Sequence, residues 1–531
     1  MKKSLSEYHS LIDLFKEFRE HIKPVVINGL PNFTTNAMEN QYNGLKLLQE
    51  RLGNIQINDW DIPHQVDYHV LRSEMNGVEF DHKVLKQWSR DPGFYNLTDG
   101  IYPRLLVHHS RSLSDWGLYE PELPFTTKDY EGFKIKLKVI PKLFDQAKHN
   151  LTDAVPELAE IAIRIKEKDI QLLDGFKKEF LIHHQELVPI VEEAIIATKD
   201  FRNWLIENKS SMVGKVGIGK ENYNWWMKNV HLIPYGWNEF YTMIQNDYNR
   251  AISFLKIEQN KNKNEPGYHL TSNAAENLSR QRDAAIKLMK FLHDEEIITI
   301  PDQLEPLPVD QYPRVWGSSA YKRPNHMGFF EQTNDREPMT NIAHVFFGHY
   351  YIGDRKIWYQ KSGEHYIRDK IRLYDIHEAR SEALAFGIEE WLMQAGLFDD
   401  RPRSREINYV WQAFRNARAL ADLKMHSNEF SLKDGINFFS DNVPNNWAEK
   451  DDDAVWWDIE ETLRAPGHST NYIVGKNMMH QLMMERSKQL GSDFTLKLFF
   501  DEFMNGGIIP ISLTRWELTG YKDQINDLLS L

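Results

Sequence analysis

The spacing of apolar residues is the feature that most constrains the fold of this chain. Apolar side chains recur every three or four residues through most of the sequence, for example from Leu158 to Leu187, with Lys and Glu between them. This is the period of an α-helix with one buried face, whereas the period-two alternation of half-buried strands is rare. The sequence therefore predicts an all-α fold, with minor short strands near 298–300 or 315–320.

No feature of the sequence divides it into separate domains. The 531 residues contain no Pro-, Gly- or Ser-rich linker, no low-complexity tract and no internal repeat. Proline-containing breaks separate long helical stretches, as expected for loops between helices. We therefore expect one large helical domain over 1–531, with two lobes over about 1–210 and 211–531.

Composition excludes several classes of function. There are no cysteines, so disulfides, thiolate nucleophiles and cysteine-ligated metals are excluded, and any metal must be bound by His, Asp or Glu. The net charge of −13 is unfavourable for binding phosphate backbones, so no nucleic-acid partner is expected. The N-terminus lacks the apolar segment of a secretory signal, and no apolar run is long enough to span a membrane. These observations predict a cytoplasmic protein without membrane contact.

Two histidines occupy an apolar segment that is predicted to be a buried helix. His344 and His349 are five residues apart, which places them about 140° apart on a regular α-helix. A shared metal ion therefore requires a widened helical turn, or a helix that ends at Gly348. The alternative is a pair of core histidines bonded to backbone or carboxylate groups. On the first interpretation, His344 and His349 are metal ligands.

A row of glutamates follows on the next predicted helix. Glu378, Glu382 and Glu389 share one helix face among Ala, Leu, Phe and Ile residues. A glutamate on a second helix is a common third zinc ligand, so Glu382 is predicted to complete the site, and His377 offers a further nitrogen. The alternative is a solvated face paired with nearby arginines.

A third helix carries a ladder of polar groups in apolar surroundings. Arg415, Arg418, Asp422 and His426 follow at spacings of three, four and four residues. The two arginines could bind the carboxylate of a substrate, and Asp422 could orient His426 as a catalytic group. A purely structural ion-pair network is the alternative.

The last segment of interest is a Pro-Gly turn at 466–467 that leads into a helix. Backbone N–H groups at such a helix start can face an anion, and Tyr472 could donate to a reacting carbonyl oxygen. We place His468 in the substrate-binding group with the two arginines. A plain turn and helix cap is the alternative.

Taken in order, these segments resemble the bacterial family known as domain of unknown function 885. Its fold is similar to that of the carboxypeptidase Taq-type, zincin-like helical metallopeptidases. The resemblance runs from about residue 60 to the C-terminus. It is carried by the segments 71–74, 88–95, 216–223, 349, 382–389, 415–426, 466–472 and 499–501.

The resemblance implies a zincin-like metallopeptidase fold, but this chain departs from the family's H-E-x-x-P-G-H-H motif. Ala343 stands at the first His of that motif and His344 at its catalytic Glu, while Gly348 and His349 match it. A metal could still bind through His344. Activation of water would then need another base.

The sequence thus predicts a metal-dependent hydrolase of peptide or amide bonds that acts on small peptides or other small molecules. His344, His349 and Glu382 would bind a divalent metal, with zinc expected first and iron or manganese as alternatives. Glu378 or His377 would act as base, with Tyr472 or an arginine stabilising the oxyanion. The alternatives are a non-hydrolytic iron or manganese enzyme on the same scaffold and a catalytically inactive binding protein.

Overall fold

The computed structural model describes residues 2–97, 118, 123–300, 328–350, 366–370 and 372–530. Helices dominate these residues, so the predicted all-α fold is confirmed. The only strands among them are β1 (Val26–Ile27) and β2 (Leu30–Pro31), which pair in antiparallel register with Val26 opposite Pro31. Asn28 and Gly29 both have positive φ, as a two-residue hairpin turn of this kind requires.

The strand predicted at 298–300 is wrong. This stretch forms a bend and coil after a long helix, and the backbone N–H of Thr299 donates to the Asp501 carboxylate at 3.0 Å. The backbone N–H group that would bond to a neighbouring strand is therefore already bonded to a side chain. The other predicted strand, at 315–320, lies outside the described residues.

The helices are numbered here in chain order. They are α1 (Lys2–His21), α2 (Thr35–Gly53), α3 (Ile62–Phe80), α4 (Gln87–Arg90), α5 (Thr127–Asn150), α6 (Pro156–His183), α7 (Val188–Asn208), α8 (Lys220–Asn229), α9 (Trp237–Lys261), α10 (Ala274–Asp294), α11 (Phe329–Arg336), α12 (Met339–Ile342), α13 (Glu378–Gln394), α14 (Pro402–His426), α15 (Leu432–Asp441), α16 (Asp453–Arg464), α17 (His468–Leu490), α18 (Leu496–Asn505), α19 (Ile511–Thr519) and α20 (Asp523–Leu529). Two π-helices, Asp81–Leu85 and Ala343–Tyr350, accompany short 3-10 turns at 92–95, 185–187, 209–211, 444–446 and 491–493.

The described residues form two compact units. The first comprises 1–60, 71–218 and 373–375, and the second comprises 61–70, 219–372 and 376–531. In the first unit, an aromatic core joins α5, α6 and α7, with Phe144 stacked on Phe201 at 4.7 Å between ring centroids. No described helix is long and apolar enough to cross a membrane.

Close backbone packing between α13 and α17 organises the second unit. A methyl group at Gly475 of α17 would come within 1.9 Å of the Ala379 carbonyl oxygen of α13 and 2.7 Å of Ala383 Cβ. Only glycine allows this approach, because any Cβ at position 475 would overlap the neighbouring backbone. The close packing fixes the polar face of α13 relative to α17.

Helix α14 is buried along almost its whole length. Its polar residues, including Arg415, Arg418, Asp422 and His426, are buried with the apolar ones. Buried charges need partners, and both arginines contact buried carboxylates, Glu389 and Asp458. The helix therefore supplies charged groups to the interior of the second unit.

Candidate metal centre and adjoining polar clusters

The segment that carries the histidine pair is a π-helix, Ala343–Tyr350. Its hydrogen bonds run from i to i+5, so residues five positions apart lie on the same side of the helix. His344 and His349 therefore face each other, and of the two alternatives predicted for a shared ion, the structure has the widened turn. Gly348 lets this turn pack on α13, because a methyl group there would lie 2.5 Å from Ala385 Cα.

The two histidines and Glu382 form one compact group. The Nε2 atoms of His344 and His349 are 3.1 Å apart, and His349 Nε2 is 3.3 Å from Glu382 Oε2. One ligand atom from each of the three residues lies within 4.8 Å of the others. His344 and Glu382 are buried, whereas the His349 side chain is 26% exposed, so the group is open to solvent on one side.

A buried carboxylate lies behind the first histidine. Glu389 Oε1 is 2.8 Å from His344 Nδ1, and Arg415 contacts both Glu389 oxygens at 2.8 and 2.9 Å. Burial raises the pKa of Glu389 to about 7 against the opposing effect of Arg415. His344 Nδ1 also lies 3.1 Å from Arg415 Nη2, which can donate only to an unprotonated Nδ1. In the other tautomer, a proton on Nδ1 would have Glu389 as its acceptor and Nε2 of His344 would be free to bind a metal.

The donor set fits a divalent metal. Two imidazoles and one carboxylate are the protein ligands of a common class of catalytic zinc site. Ligand atoms at about 2.1 Å from a tetrahedral ion lie roughly 3.4 Å apart. His349 Nε2 lies 3.1 Å from His344 Nε2 and 3.3 Å from Glu382 Oε2. The carboxylate on His344 Nδ1 also matches the usual outer contact of a metal-bound histidine.

A second buried cluster surrounds His468 at the start of α17. Its Nδ1 contacts Glu378 Oε1, and its Nε2 is 3.4 Å from Glu461 Oε2. Asn471 Nδ2 donates to Glu378 Oε2 at 2.9 Å and lies 3.2 Å from His231 Nδ1. Burial, together with the nearby His468, lowers the pKa of His231 to about 3, so His231 is neutral. His468 thus lies between two carboxylates in the protein interior.

Asp422 has its own set of hydrogen-bond donors. Its Oδ2 accepts from Tyr223 Oη at 3.0 Å and from Thr470 Oγ1 and N at 3.1 and 3.3 Å. Burial raises the pKa of Asp422 to about 7, although these hydrogen bonds act in the opposite direction. Its other oxygen lies 3.6 Å from His426 Nε2, which is also 3.0 Å from the Thr462 carbonyl oxygen.

Tyr472 lies between the two histidine clusters. Its ring is parallel to that of His344 at 6.5 Å between centroids and perpendicular to that of His468 at 5.5 Å. The Arg418 guanidinium lies 4.5 Å from the Tyr472 ring centroid. One aromatic ring therefore borders both clusters and an arginine.

The predicted residues divide into groups by location. The metal-ligand set of His344, His349 and Glu382 comes together, and Arg415 contacts Glu389 behind it. Glu378 lies against His468, while His377 is half-buried at the position before α13. The catalytic, substrate-binding and metal-binding roles of these residues stay predictions.

Several residues of the second cluster were missed from the sequence. Asn471 and His231 gave no signal of their own, because Asn471 contacts Glu378 and His231 across distant parts of the chain. Glu461 lies only seven residues before His468, but nothing in the local sequence indicates that the two face each other. Tyr223 belongs to the 216–223 segment that resembles the family, and that motif was the one signal that could have identified it.

Comparison with solved structures supports the fold. The chain is similar to a candidate lipoprotein of unknown function from Shewanella oneidensis, with a TM-score of 0.69, 15% identity, and coverage of 97% of this chain and 99% of that one. It is also similar to a candidate lipoprotein from Colwellia psychrerythraea, with a TM-score of 0.66, 12% identity, and coverage of 98% and 99%. At such identities the likeness concerns the fold alone. No curated protein matches the sequence.

These neighbours overturn the predicted location. Both are described as lipoproteins, a class anchored to membranes, so the expectation of a cytoplasmic protein is wrong. That expectation rested on the lack of a signal-like apolar segment near residue 1, which is a weak guide to location.

The family comparison covers the C-terminal part of the chain. The matched residues include Glu389, Arg415, Arg418, His468 and Tyr472 but not the two candidate histidine ligands. The predicted zincin-like character is not part of this match and stays a prediction. Residues 388–518 match the family described as "Bacterial protein of unknown function (DUF885)", which confirms the predicted resemblance for this part of the chain.

Proposed function

We propose that this protein is a metal-dependent hydrolase of peptide or amide bonds, with zinc as the expected metal. The observation that carries the proposal is the π-helical turn that brings His344 and His349 together beside Glu382. A buried histidine pair without a metal role would not need such a turn, because a regular helix allows each imidazole its own partner.

The outer contacts support a catalytic rather than an accidental cluster. Glu389 and Arg415 both contact His344 Nδ1, at 2.8 and 3.1 Å. Outer carboxylates of this kind set the tautomer and orientation of metal-ligating histidines. The partly exposed His349 leaves an approach for a substrate.

A divalent ion here would supply Lewis acidity to a substrate carbonyl and lower the pKa of water. The protein side chains would do the remaining work. His344, His349 and Glu382 would hold the ion, and the Tyr472 hydroxyl would donate a hydrogen bond to the carbonyl oxygen as negative charge develops there.

Glu378 is the proposed proton acceptor. It lies one helical turn before Glu382, about 6 Å along the axis of α13. Its carboxylate contacts His468 Nδ1 and accepts a hydrogen bond from Asn471. Glu378 would take a proton from the attacking water and return it to the leaving amine, while His468 compensates the changing charge.

Metal analysis and a hydrolysis assay test the proposal together. Purified protein would be stripped with chelator, reloaded with zinc, iron or manganese, and incubated with a pool of short peptides whose products are followed by mass spectrometry. We expect zinc-dependent cleavage that the Glu382→Gln variant loses by at least ~100-fold. Glu390→Gln is the matched control, because Glu390 pairs with Arg250 and Lys476 instead. Failure to bind any divalent metal would reject the proposal.

A further inference from the structure

Arg380 of α13 is a buried arginine with few hydrogen-bond partners. It is only 1% exposed, and its Nη2 donates to the backbone carbonyl oxygen of Phe503 at 2.8 Å. Its Nε and Nη1 have no hydrogen-bond acceptor within the residues that the structure describes. Buried donors of a charged group are costly to leave without acceptors, so these nitrogens favour an acceptor from outside the chain.

Arg380 differs in this respect from other buried arginines of the second unit. Five of them contact a carboxylate, which compensates their charge. These pairs are Arg368 with Glu517, Arg415 with Glu389, Arg418 with Asp458, Arg464 with Glu460 and Arg515 with Glu485. Arg380 has no such pair within the described part of the chain.

The charge of Arg380 persists despite its burial. Burial lowers the pKa of Arg380 to about 9, so the side chain remains positive at neutral pH. Among the described residues, no charged side chain contributes to this shift of the pKa. One positive charge is therefore left in the interior without a counter-charge from these residues, which is costly.

The end of α18 offsets only part of this charge. Phe503 lies in the last turn of α18, where backbone carbonyl groups lack partners within the helix. A helix C-terminus carries roughly half a negative charge. The Phe503 ring adds a cation–π contact, with its centroid 4.2 Å from the guanidinium carbon. Neither contact supplies an acceptor for Nε or Nη1.

The surroundings of Arg380 favour a monatomic anion. On α13, Ala383 and Leu384 lie one turn after Arg380 and are fully buried. On α18, the buried Phe499 stacks on Phe503 at 6.3 Å between ring centroids. A phosphate, sulfate or carboxylate would bring oxygens that such apolar groups cannot satisfy. A halide carries the single negative charge that Arg380 requires and accepts from its N–H groups alone.

This location is separate from the candidate metal centre. Residues two positions apart on a helix point about 200° away from each other. Arg380 is two positions from both Glu378 and Glu382, so it lies on the opposite side of α13. The carboxylates of the two histidine clusters are therefore not its partners.

We infer that Arg380 binds one halide ion beside the end of α18, with chloride, the common halide of biological fluids, as the expected ligand. One Nη2 hydrogen serves Phe503, and the other forms an edge with a hydrogen of Nε or Nη1. An ion on that edge accepts two charge-assisted hydrogen bonds, which are strengthened by the apolar surroundings. The inference is independent of the proposed function.

The first test measures the melting temperature as sodium chloride replaces sodium gluconate at constant ionic strength. Constant ionic strength keeps the screening of surface charges unchanged, and gluconate is too large for a buried halide site. The protein is treated with chelator so that chloride cannot act through a bound metal. At chloride about tenfold above the dissociation constant, we expect a saturable rise of roughly 1–3 °C, and a similar rise in bromide.

Three variants assign this effect to a residue. Arg380→Met removes the charge and the donors, so the chloride-dependent rise should disappear whatever the melting temperature of the variant itself. Arg380→Lys keeps the charge with a different set of donors and should retain part of the rise. Arg486→Met is the control, because Glu502 already pairs with Arg486. Its rise should equal that of the wild type.

Bromide also locates the ion directly through its anomalous X-ray scattering. In wild-type crystals grown with bromide, we expect a peak within hydrogen-bond distance of a guanidinium nitrogen of Arg380. If Arg380→Met does not fold, this peak and the response of Arg380→Lys decide the question. Equal melting temperatures in chloride and gluconate would overturn the inference. An unchanged rise in Arg380→Met, a rise without saturation in every variant, or bromide found only elsewhere would do the same.

Discussion

Glu389 is the residue on which the orientation of the candidate metal ligands depends most. It is buried, contacts His344 Nδ1 and is held by Arg415. Removing its charge should weaken the attraction of this carboxylate for a proton on Nδ1, and with it the tautomer that leaves Nε2 unprotonated.

We predict that Glu389→Gln weakens zinc binding by about 10- to 100-fold, as is usual for loss of an outer carboxylate. The dissociation constant would be measured by competition with a chromophoric chelator. Glu390→Gln changes the neighbouring residue, which contacts Arg250 and Lys476 instead, and should leave zinc affinity within about threefold of wild type. Equal affinities for Glu389→Gln and wild type would contradict the proposed role of Glu389.

Asp422 should make the second unit less stable as pH rises toward neutrality. Burial raises its folded pKa to about 7, whereas an unfolded aspartate has a pKa of about 3.9. The folded state therefore holds a proton that the unfolded state releases between these values, and stability is lost as pH rises from about 4 to 7. Tyr223, Thr470 and His426 are the groups that face this carboxyl.

We predict that Asp422→Asn removes this pH dependence, on the order of 1–4 kcal/mol between pH 4 and 7. Denaturant unfolding of both proteins at several pH values would give the difference in free energy of unfolding between variant and wild type. The change of that difference with pH measures the effect. For the control Asp247→Asn, burial is outweighed by Lys476 and Arg250, which lower the folded pKa of Asp247 to about 2. The difference in free energy of unfolding between Asp247→Asn and wild type should vary only at about pH 4 and below. If both variants respond to pH in the same way, the pH dependence does not come from Asp422.

Individual site residues could be predicted from the sequence where a polar side chain occurs among apolar neighbours. His344, His349 and Glu382 stood out as polar groups in apolar helices, and the structure brings them together. The pairing of Glu378 with His468 could not be predicted, because neither residue carries information about a partner 90 positions away. Local sequence thus indicates which residues are unusual, while the packing of the helices decides which of them meet.

At the scale of elements, the π-helix is the unusual component. It follows α12 directly and packs on α13 through Gly348, with no room for a methyl group between that glycine and Ala385. A side chain at position 348 should push the turn away from α13 and separate His349 from Glu382.

We predict that Gly348→Ala lowers the free energy of unfolding by about 1–3 kcal/mol through overpacking and weakens zinc binding. The matched control is Gly175→Ala in α6, where an added methyl group meets nothing within 4 Å. That change should stabilise the protein by up to about 1 kcal/mol, because alanine is the better helix former. Chemical denaturation and zinc titration of the two variants measure both effects, and unchanged zinc affinity in Gly348→Ala would contradict the role of this contact.

Element types were more predictable than element details. Apolar periodicity predicted the helix that became α6, because one buried face repeats at the helical period. The helix that became α14 was predicted instead from polar residues that recur at spacings of three, four and four in apolar surroundings. The five-residue histidine spacing predicted either a widened turn or a helix end at Gly348 if one ion is shared, and the structure has the widened turn. The predicted strand at 298–300 failed because a short β-branched run carries no sign of whether another strand is available to pair with it.

At the scale of the whole molecule, metal binding should protect one unit rather than the whole chain. All three candidate ligands belong to the second compact unit. A ligand that binds only the folded state stabilises the part of the protein that must unfold before the ligand is released.

We predict that zinc slows amide hydrogen exchange in the π-helix and α13 and leaves α5, α6 and α7 unchanged. Exchange followed by mass spectrometry, with and without zinc, would measure this protection. The Glu382→Gln variant should show no difference between the two conditions. Equal protection of both units in the wild type would indicate nonspecific zinc binding.

The close approach of Gly475 to Ala379 also has a consequence for how distant relatives can be found. Substitution at a ligand position can alter the chemistry and leave the scaffold intact, because function resides in a few side chains mounted on the fold. A larger residue at 475 would force two backbones apart and disturb every group mounted on α13 and α17. Chains that share this architecture should therefore retain small residues at the positions of Ala379, Ala383 and Gly475 even where their metal ligands have diverged. These small residues would then identify distant relatives whose metal ligands differ.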